Sequence, residues 1–233
     1  MFLSVVIPAY NEAQNLPKTV ALLCDKLSAC VPSFELLIVD DASRDRTGAV
    51  ADELAANDAR VLAIHHSENR GIGAGFVTAL SQARGEWFML IPADLAMDIN
   101  ELGKYFQAAQ NADIAVGLRS DKSDYGLFRK LVSFTNITLV QRLFGMRERQ
   151  FQYISLYRTH ILREIGIEFY HSAFFHAEIL IKAQARGYRL VEVEIGYIPR
   201  LLGRATGAKA WLIVHTMRDM VYFWLRGDWR PRK

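Results

Sequence analysis

Along the first 120 residues the apolar positions form short, nearly continuous runs separated by amphipathic stretches. The runs at 3–10, 35–41, 60–66, 86–94 and 112–119 are rich in Val, Ile and Leu, which predicts strands. Helical periodicity fills the intervals at about 15–29, 47–57, 73–84 and 100–110. Asn15 ahead of Pro17, and the stretch from Arg44 to Thr47, serve as start signals. Strands without polar alternation, each followed by a helix, predict an α/β fold whose mostly parallel sheet is covered on both faces.

In such a sheet ligands bind beyond the carboxyl ends of the strands. Four of the predicted ends carry polar clusters: PAYNE at 8–12, DDASRD at 40–45, PAD at 92–94 and GLRS at 117–120. One of these alone would read as turn chemistry, but four on one edge predict a site. The stretch NRGIGAG at 69–75 adds a glycine-rich turn opening a helix, suited to bringing backbone N–H groups to a phosphate. Its glycines at 71, 73 and 75 do not have the dinucleotide-binding spacing.

Composition narrows the picture. A chain of 233 residues, 51% hydrophobic and 23% charged, suits one globular domain with one substantial core. Residues 1–118 carry 8 Lys+Arg against 15 Asp+Glu, whereas residues 119–233 carry 20 against 10. The second half therefore seeks anions: a phosphorylated substrate or an anionic membrane surface. No nucleic-acid-binding module accompanies the basic half, so nucleic acid is not an expected partner. Cys24 and Cys30 fit neither a metal spacing nor a disulfide framework, which points to a reducing compartment. No apolar run reaches the roughly 18 residues of a spanning helix, and the chain opens on strand-like sequence, so a cytoplasmic location is expected. The stretch 208–233 mixes Trp, Tyr and Phe with Lys and Arg, the pattern of an amphipathic helix at a headgroup boundary or packed on the core.

Taken in order, SVVIPAYNEAQNL, LLIVDDASRDRT, ENRGIGAGFVTAL, ARGEWFMLIPADL, AVGLRS, FRKLVS, AEILIKAQARGYRLVEVEI and PRLLGRATG resemble the family 2 glycosyltransferases of GT-A fold. Within that family the resemblance is to the dolichyl- and polyprenyl-phosphate sugar synthases, over roughly residues 3–207. It implies a GT-A domain at 1–207, followed at 208–233 by an amphipathic, membrane-interfacial helix. It also implies a nucleotide-sugar donor. Pro8, Ala9, Tyr10 and Glu12 would wall the base and ribose, Asp41 would accept a base N–H, Asp40 would orient the same loop, and Arg70 and Gly71 would lie near the diphosphate. A carboxylate in that role suits uracil or guanine and leaves UDP and GDP both open.

Relatives end the fourth strand in Asp-x-Asp, often followed two residues later by Gln, and hold a divalent cation there. Here the equivalent positions are Pro92, Asp94 and Ala96, so Asp94 alone remains as a ligand for Mg²⁺ or Mn²⁺ and the metal site is weakened. Asp98 is expected to cap the helix that begins near Asn100. On the acceptor side the resemblance assigns a phosphate to Arg119, Arg129, Ser133, Arg200 and Arg204, and guanidinium forks suit phosphate oxygens. A lipid phosphate is already anionic and attacks without a general base, whereas a sugar hydroxyl needs one. Where relatives place an acid, this chain has Arg149, Gln150, Phe151, Gln152 and Tyr153, which favours the phosphate. Glu178 is a further site candidate by resemblance, while His171 and His176 lack a partner for metal binding.

The expected activity is inverting transfer of a sugar from a UDP- or GDP-sugar to a polyprenyl phosphate, by a peripheral protein at the cytoplasmic face of the membrane. Transfer to a sugar hydroxyl of a surface polysaccharide, and a catalytically silent relative acting as a binding subunit, stay open. The donor sugar and the oligomeric state are not legible.

Overall fold

The computed structural model describes residues 2–121, 125–151, 153–198, 210–227 and 229–230. Its first half runs β1 (Phe2–Ala9), α1 (Leu16–Cys30), β2 (Ser33–Asp40), α2 (Thr47–Asn57), β3 (Val61–His65), α3 (Ile72–Gln82), β4 (Trp87–Leu90), α4 (Leu102–Ala108) and β5 (Ile114–Arg119). Each strand and helix read from the periodicity is present. Pro17 sits in the first turn of α1, where its missing N–H costs nothing. Asn15 starts that helix without capping it: its amide donates instead to Glu12 Oε2 at 2.6 Å. Asp98 does cap, its Oδ1 accepting the Asn100 N–H at 3.0 Å.

The strands lack polar alternation because both faces of the sheet are covered. Leu3, Val5 and Ile7 of β1, with Leu36 and Ile38 of β2, face one core beneath α1 and α4. Val6, Leu37 and Val39 face a second core with Phe76 of α3. Period-two geometry thus sends neighbouring apolar residues into different cores. The second half runs α5 (Leu127–Phe144), β6 (Ser155–Arg158), α6 (Thr159–Ile165), α7 (Phe175–Ala185), β7 (Leu190–Ile195) and α8 (Ala210–Arg226). The described strands form a seven-stranded sheet in the order β3-β2-β1-β4-β6-β5-β7. Only β6 runs against its neighbours, β4 and β5; the other pairings are parallel.

Helix α8 packs one face on the core and leaves the other exposed. Met220 and Phe223 are fully buried, Phe223 lying 5.7, 5.6 and 5.6 Å from the rings of Phe144, Phe169 and Phe174. Trp211, Val214, Val221, Tyr222 and Leu225 are exposed on the remainder of the helix. Helix α5 contacts α8 and repeats the division: Val140 and Phe144 are buried, but Leu127, Phe128, Leu131 and Phe134 are between 63% and 87% exposed. Side chains three and four apart on a helix share a face, so these four form an apolar stripe. Among the described residues no helix is long and apolar enough to cross a membrane.

Candidate active site at the carboxyl edge of the sheet

From β1 the sheet extends through β2 on one side and β4 on the other, which opens a crevice at the carboxyl ends of these strands. Each strand is followed by a non-glycine residue in the left-handed region: Asn11 (φ 58°), Ala42 (φ 56°) and Leu95 (φ 46°). Such conformations cost of the order of 1–3 kcal/mol each and persist where surrounding contacts enforce them. The enforcing contacts run between the first two loops. Asn11 Oδ1 accepts the Arg44 N–H at 2.8 Å, the Asn11 N–H donates to Ser43 Oγ at 3.0 Å, and the Glu12 N–H donates to Thr47 Oγ1 at 2.8 Å. The structure therefore joins PAYNE and DDASRD into one wall. Ala9 is buried at its base, Pro8 is half-buried and Tyr10 is exposed at its rim. Asp40 Oδ1 accepts the Ser43 N–H at 3.1 Å within the second of these loops.

Asp41 is not the open acid that a strand-end position suggests. It is buried, and its carboxylate accepts from three protein donors: His66 Nδ1 at 2.7 Å, the Arg70 N–H at 2.9 Å and the Gly71 N–H at 2.8 Å. The glycine-rich turn is thereby fastened to the end of β2. Gly71 (φ 85°) then turns the chain into α3, and a Cβ at Gly73 would collide with the Tyr170 carbonyl. His65, the last residue of β3, and His66 just after it are not evident as site residues from sequence. His65 lies in register with Asp40 and bonds to Asp52 at 2.9 Å, and it approaches Asp40 at 3.4 Å. The hydrogen bond to Asp52 is the largest influence and raises its pKa; burial opposes it, and the weaker contribution of Asp40 adds to the rise. The available signal was the run HH beside the parallel run DD.

Asp94 lies in the loop after β4, with Oδ1 accepting the Ala96 N–H at 3.3 Å. Pro92 and Ala96 offer no side-chain ligand, and no group of three His, Cys, Asp or Glu able to hold a metal occurs among the described residues. The donor set therefore fits a divalent cation only as one carboxylate, the rest of the shell coming from phosphate oxygens and water.

Arg119 ends β5, buried to 7% exposure. Its guanidinium lies 3.2 Å from the ring centre of Tyr197 and 4.7 Å from that of Tyr125, and Arg129 of α5 lies 3.9 Å from the same Tyr125 ring. The two arginines named from sequence are thus gathered by a tyrosine that sequence did not name. Aromatic faces attract guanidinium groups and let two like charges approach. Ser133 follows Arg129 by four residues and is half-buried. Gln150 accepts the Arg119 N–H at 3.2 Å and donates to the Arg119 carbonyl at 3.0 Å, beside a cleft of about 350 Å³ lined by Leu118, Arg119, Ser120, Arg149, Gln150 and Glu194. Arg149 is paired with Glu192 at 2.8 Å, Phe151 is buried, and burial pushes the Tyr153 hydroxyl up to about 12. Gln152, Arg200 and Arg204 lie outside the described residues.

Glu178 belongs to a buried clamp. Fully buried, it accepts the N–H groups of Glu168 and Phe169, each at 2.9 Å, and the Lys182 ammonium at 2.6 Å. His171 is exposed, its ring 4.1 Å from that of Tyr170 and tilted to it by 46°. Among the described residues the buried His176 Nδ1 has no hydrogen-bond partner, and burial lowers its pKa to about 4.

Residues 4–182 match the model of the family described as glycosyl transferase family 2. Glycosyltransferase AglD of Haloferax volcanii is 32% identical over 209 residues, covering 84% of this chain and 33% of the longer relative. The undecaprenyl-phosphate mannosyltransferase of Micrococcus luteus is 29% identical over 210 residues, covering 86% of this chain and 85% of the relative. Among solved structures, glucosyl-3-phosphoglycerate synthase of Mycobacterium tuberculosis, in complex with Mn²⁺, UDP and glucosyl-3-phosphoglycerate, aligns with a TM-score of 0.70 at 17% identity. That alignment covers 94% of this chain and 79% of the synthase, and establishes likeness of fold.

Proposed function

This chain belongs to glycosyl transferase family 2, and from that membership we propose that it moves a sugar from a UDP- or GDP-sugar to a polyprenyl phosphate, with inversion at the anomeric carbon. The observation that carries the acceptor is the pair of guanidinium groups, Arg119 and Arg129, gathered on Tyr125 beyond the end of β5. Two fixed cations there suit a phosphate monoester. Sequence relatives point the same way: the undecaprenyl-phosphate enzyme of Micrococcus luteus matches this chain over most of both lengths.

In the proposed reaction a phosphate oxygen forms the new bond to the anomeric carbon as the bond from that carbon to the diphosphate breaks, and the nucleoside diphosphate leaves. The attacking oxygen carries its charge already, so no side chain need remove a proton. Arg119 and Arg129 orient the phosphate, and the wall from Tyr10 to Arg44 with the turn at Arg70 and Gly71 receives the nucleotide. Asp94 is the residue that would hold magnesium or manganese, whose charge when bound offsets that of the leaving diphosphate. A transferase domain at 1–207 is served by the tail, 208–233, to which α8 belongs. The exposed apolar faces of α8 and α5, with Arg129 and Lys130 beside them, seat the protein on the cytoplasmic surface of the membrane that contains its acceptor.

The test is nucleotide release from UDP- and GDP-sugars with and without a polyprenyl phosphate, each in the presence and absence of EDTA. Release stimulated by the lipid phosphate is the expected result. Stimulation by soluble sugars alone would replace the acceptor, and nucleotide binding with no release under any condition would make this chain a binding subunit.

A further inference from the structure

The His66 side chain, beside the glycine-rich turn, is only 4% accessible, against 10% for that of Asp41. Both ring nitrogens are engaged: Nδ1 lies 2.7 Å from Asp41 Oδ1 and Nε2 lies 3.0 Å from Thr78 Oγ1, in α3. Its backbone N–H donates to the Asp40 carbonyl at 2.9 Å, which fixes where the ring leaves the sheet. The ring therefore ties three things together: the end of β2, the turn at 69–71 and the second turn of α3. A carboxylate offers about four acceptor positions. His66, Arg70 and Gly71 take three of those on Asp41, leaving one direction for a ligand N–H. Rotation of the carboxylate would break its bonds to Arg70 and Gly71.

We propose that His66 is a positioning residue of the donor site: it locks the Asp41 carboxylate in one rotation, so that the acid and the Arg70–Gly71 turn meet the nucleotide as a preformed surface. The inference rests on the donor pocket proposed above. A carboxylate only accepts, so the hydrogen between the two groups belongs to His66 Nδ1, while Nε2 faces the Thr78 hydroxyl. Preorganisation of this kind shows in ligand affinity more than in the chemical step, because the ordering is already complete before the ligand arrives.

The experiment measures UDP and GDP affinity by calorimetry, donor KM and kcat, and thermal unfolding, for the full chain and three variants. His66→Leu removes both hydrogen bonds, Thr78→Val removes the outer one, and His66→Asn keeps an N–H directed at Asp41. The expected pattern is at least about a tenfold loss of nucleotide affinity in His66→Leu, a smaller loss in Thr78→Val and recovery to within about threefold in His66→Asn. Donor KM should rise with Kd while kcat at saturating donor holds. A folded His66→Leu variant with wild-type affinity, whatever its melting temperature, overturns the inference. Should that variant not fold, Thr78→Val decides, and unchanged affinity there overturns it equally. Failure of the wild type to bind either nucleotide would remove the donor pocket itself, and is seen before any variant is made.

Discussion

Replacing Lys182 by methionine keeps most of the side-chain stem and removes the ammonium. That group donates to Glu178 Oε1 at 2.6 Å, Glu168 Oε1 at 2.7 Å and the Gly166 carbonyl at 2.9 Å. The lysine side chain is 5% exposed and that of Glu178 is 0% exposed, so the variant strands a carboxylate away from water. Breaking one partner of a buried pair costs about 3–5 kcal/mol. Glu178 keeps two backbone N–H donors, from Glu168 and Phe169, which places the expected loss at the lower end, about 3 kcal/mol. For a chain of this size that is a fall in melting temperature of about 6–12 °C. Urea unfolding followed by tryptophan fluorescence is the assay, with the double variant Glu178→Gln/Lys182→Met alongside. Neutralising both partners should recover part of the loss, since an uncharged amide still accepts from one of the two N–H groups. Nucleotide affinity of each folded variant should match the wild type. A loss below about 1 kcal/mol, or lost nucleotide binding at unchanged stability, would refute the assignment of Glu178 to a structural clamp.

Acid should weaken the fold through His176. Its folded-state pKa of about 4 lies below the ordinary 6.5, so its contribution is present above pH 6.5 and is lost as the pH falls towards 4. That amounts to about 3 kcal/mol across the window, which His176→Phe should abolish; parallel urea midpoints for the two proteins at pH 7.5 and 4.5 would refute it. Membrane seating should fail in Val214→Glu and Leu131→Glu, since both residues are exposed and neither belongs to the buried face of its helix. Sedimentation with anionic liposomes is the readout, and retention of both variants would place the contact elsewhere. Deleting α8 would be a poorer test, because Met220 and Phe223 would leave the core with it.

The strands and helices up to β5 were legible because burial on both faces of the sheet writes itself as continuous apolar runs, and the loops after them as polar clusters. Short β6, only Ser155–Arg158, gives too little pattern to reveal that it runs antiparallel between β4 and β5. The state of Asp41 was illegible for a different reason. Its partners lie 25 to 30 residues away, at His66, Arg70 and Gly71, and nothing local distinguishes an acid facing a ligand from one fastening a turn. Tyr125 and Tyr197 were missed on the same ground, since they come to Arg119 from α5's approach and from the end of β7. Glu178 was a candidate by resemblance alone, and no local pattern shows that it accepts the N–H groups of Glu168 and Phe169, ten and nine residues earlier in the chain. Asp98 was legible because a cap is a local device, complete within two residues.

The central claim is that Arg119 and Arg129 receive an acceptor phosphate. Arg129 tests it more cleanly, because it is half-buried, whereas removing the enclosed Arg119 also leaves the Tyr197 ring uncovered. The measurement is single-turnover transfer of sugar from the donor that the wild type uses to a short-chain polyprenyl phosphate, with nucleotide affinity measured on the same Arg129→Ala protein. Loss of charge-assisted hydrogen bonds worth about 1.5–3 kcal/mol predicts transfer slower by about 10- to 150-fold at limiting acceptor, partial rescue by Arg129→Lys, and unchanged nucleotide affinity. Transfer at the wild-type rate, or a loss that merely follows lost nucleotide binding, would contradict the account.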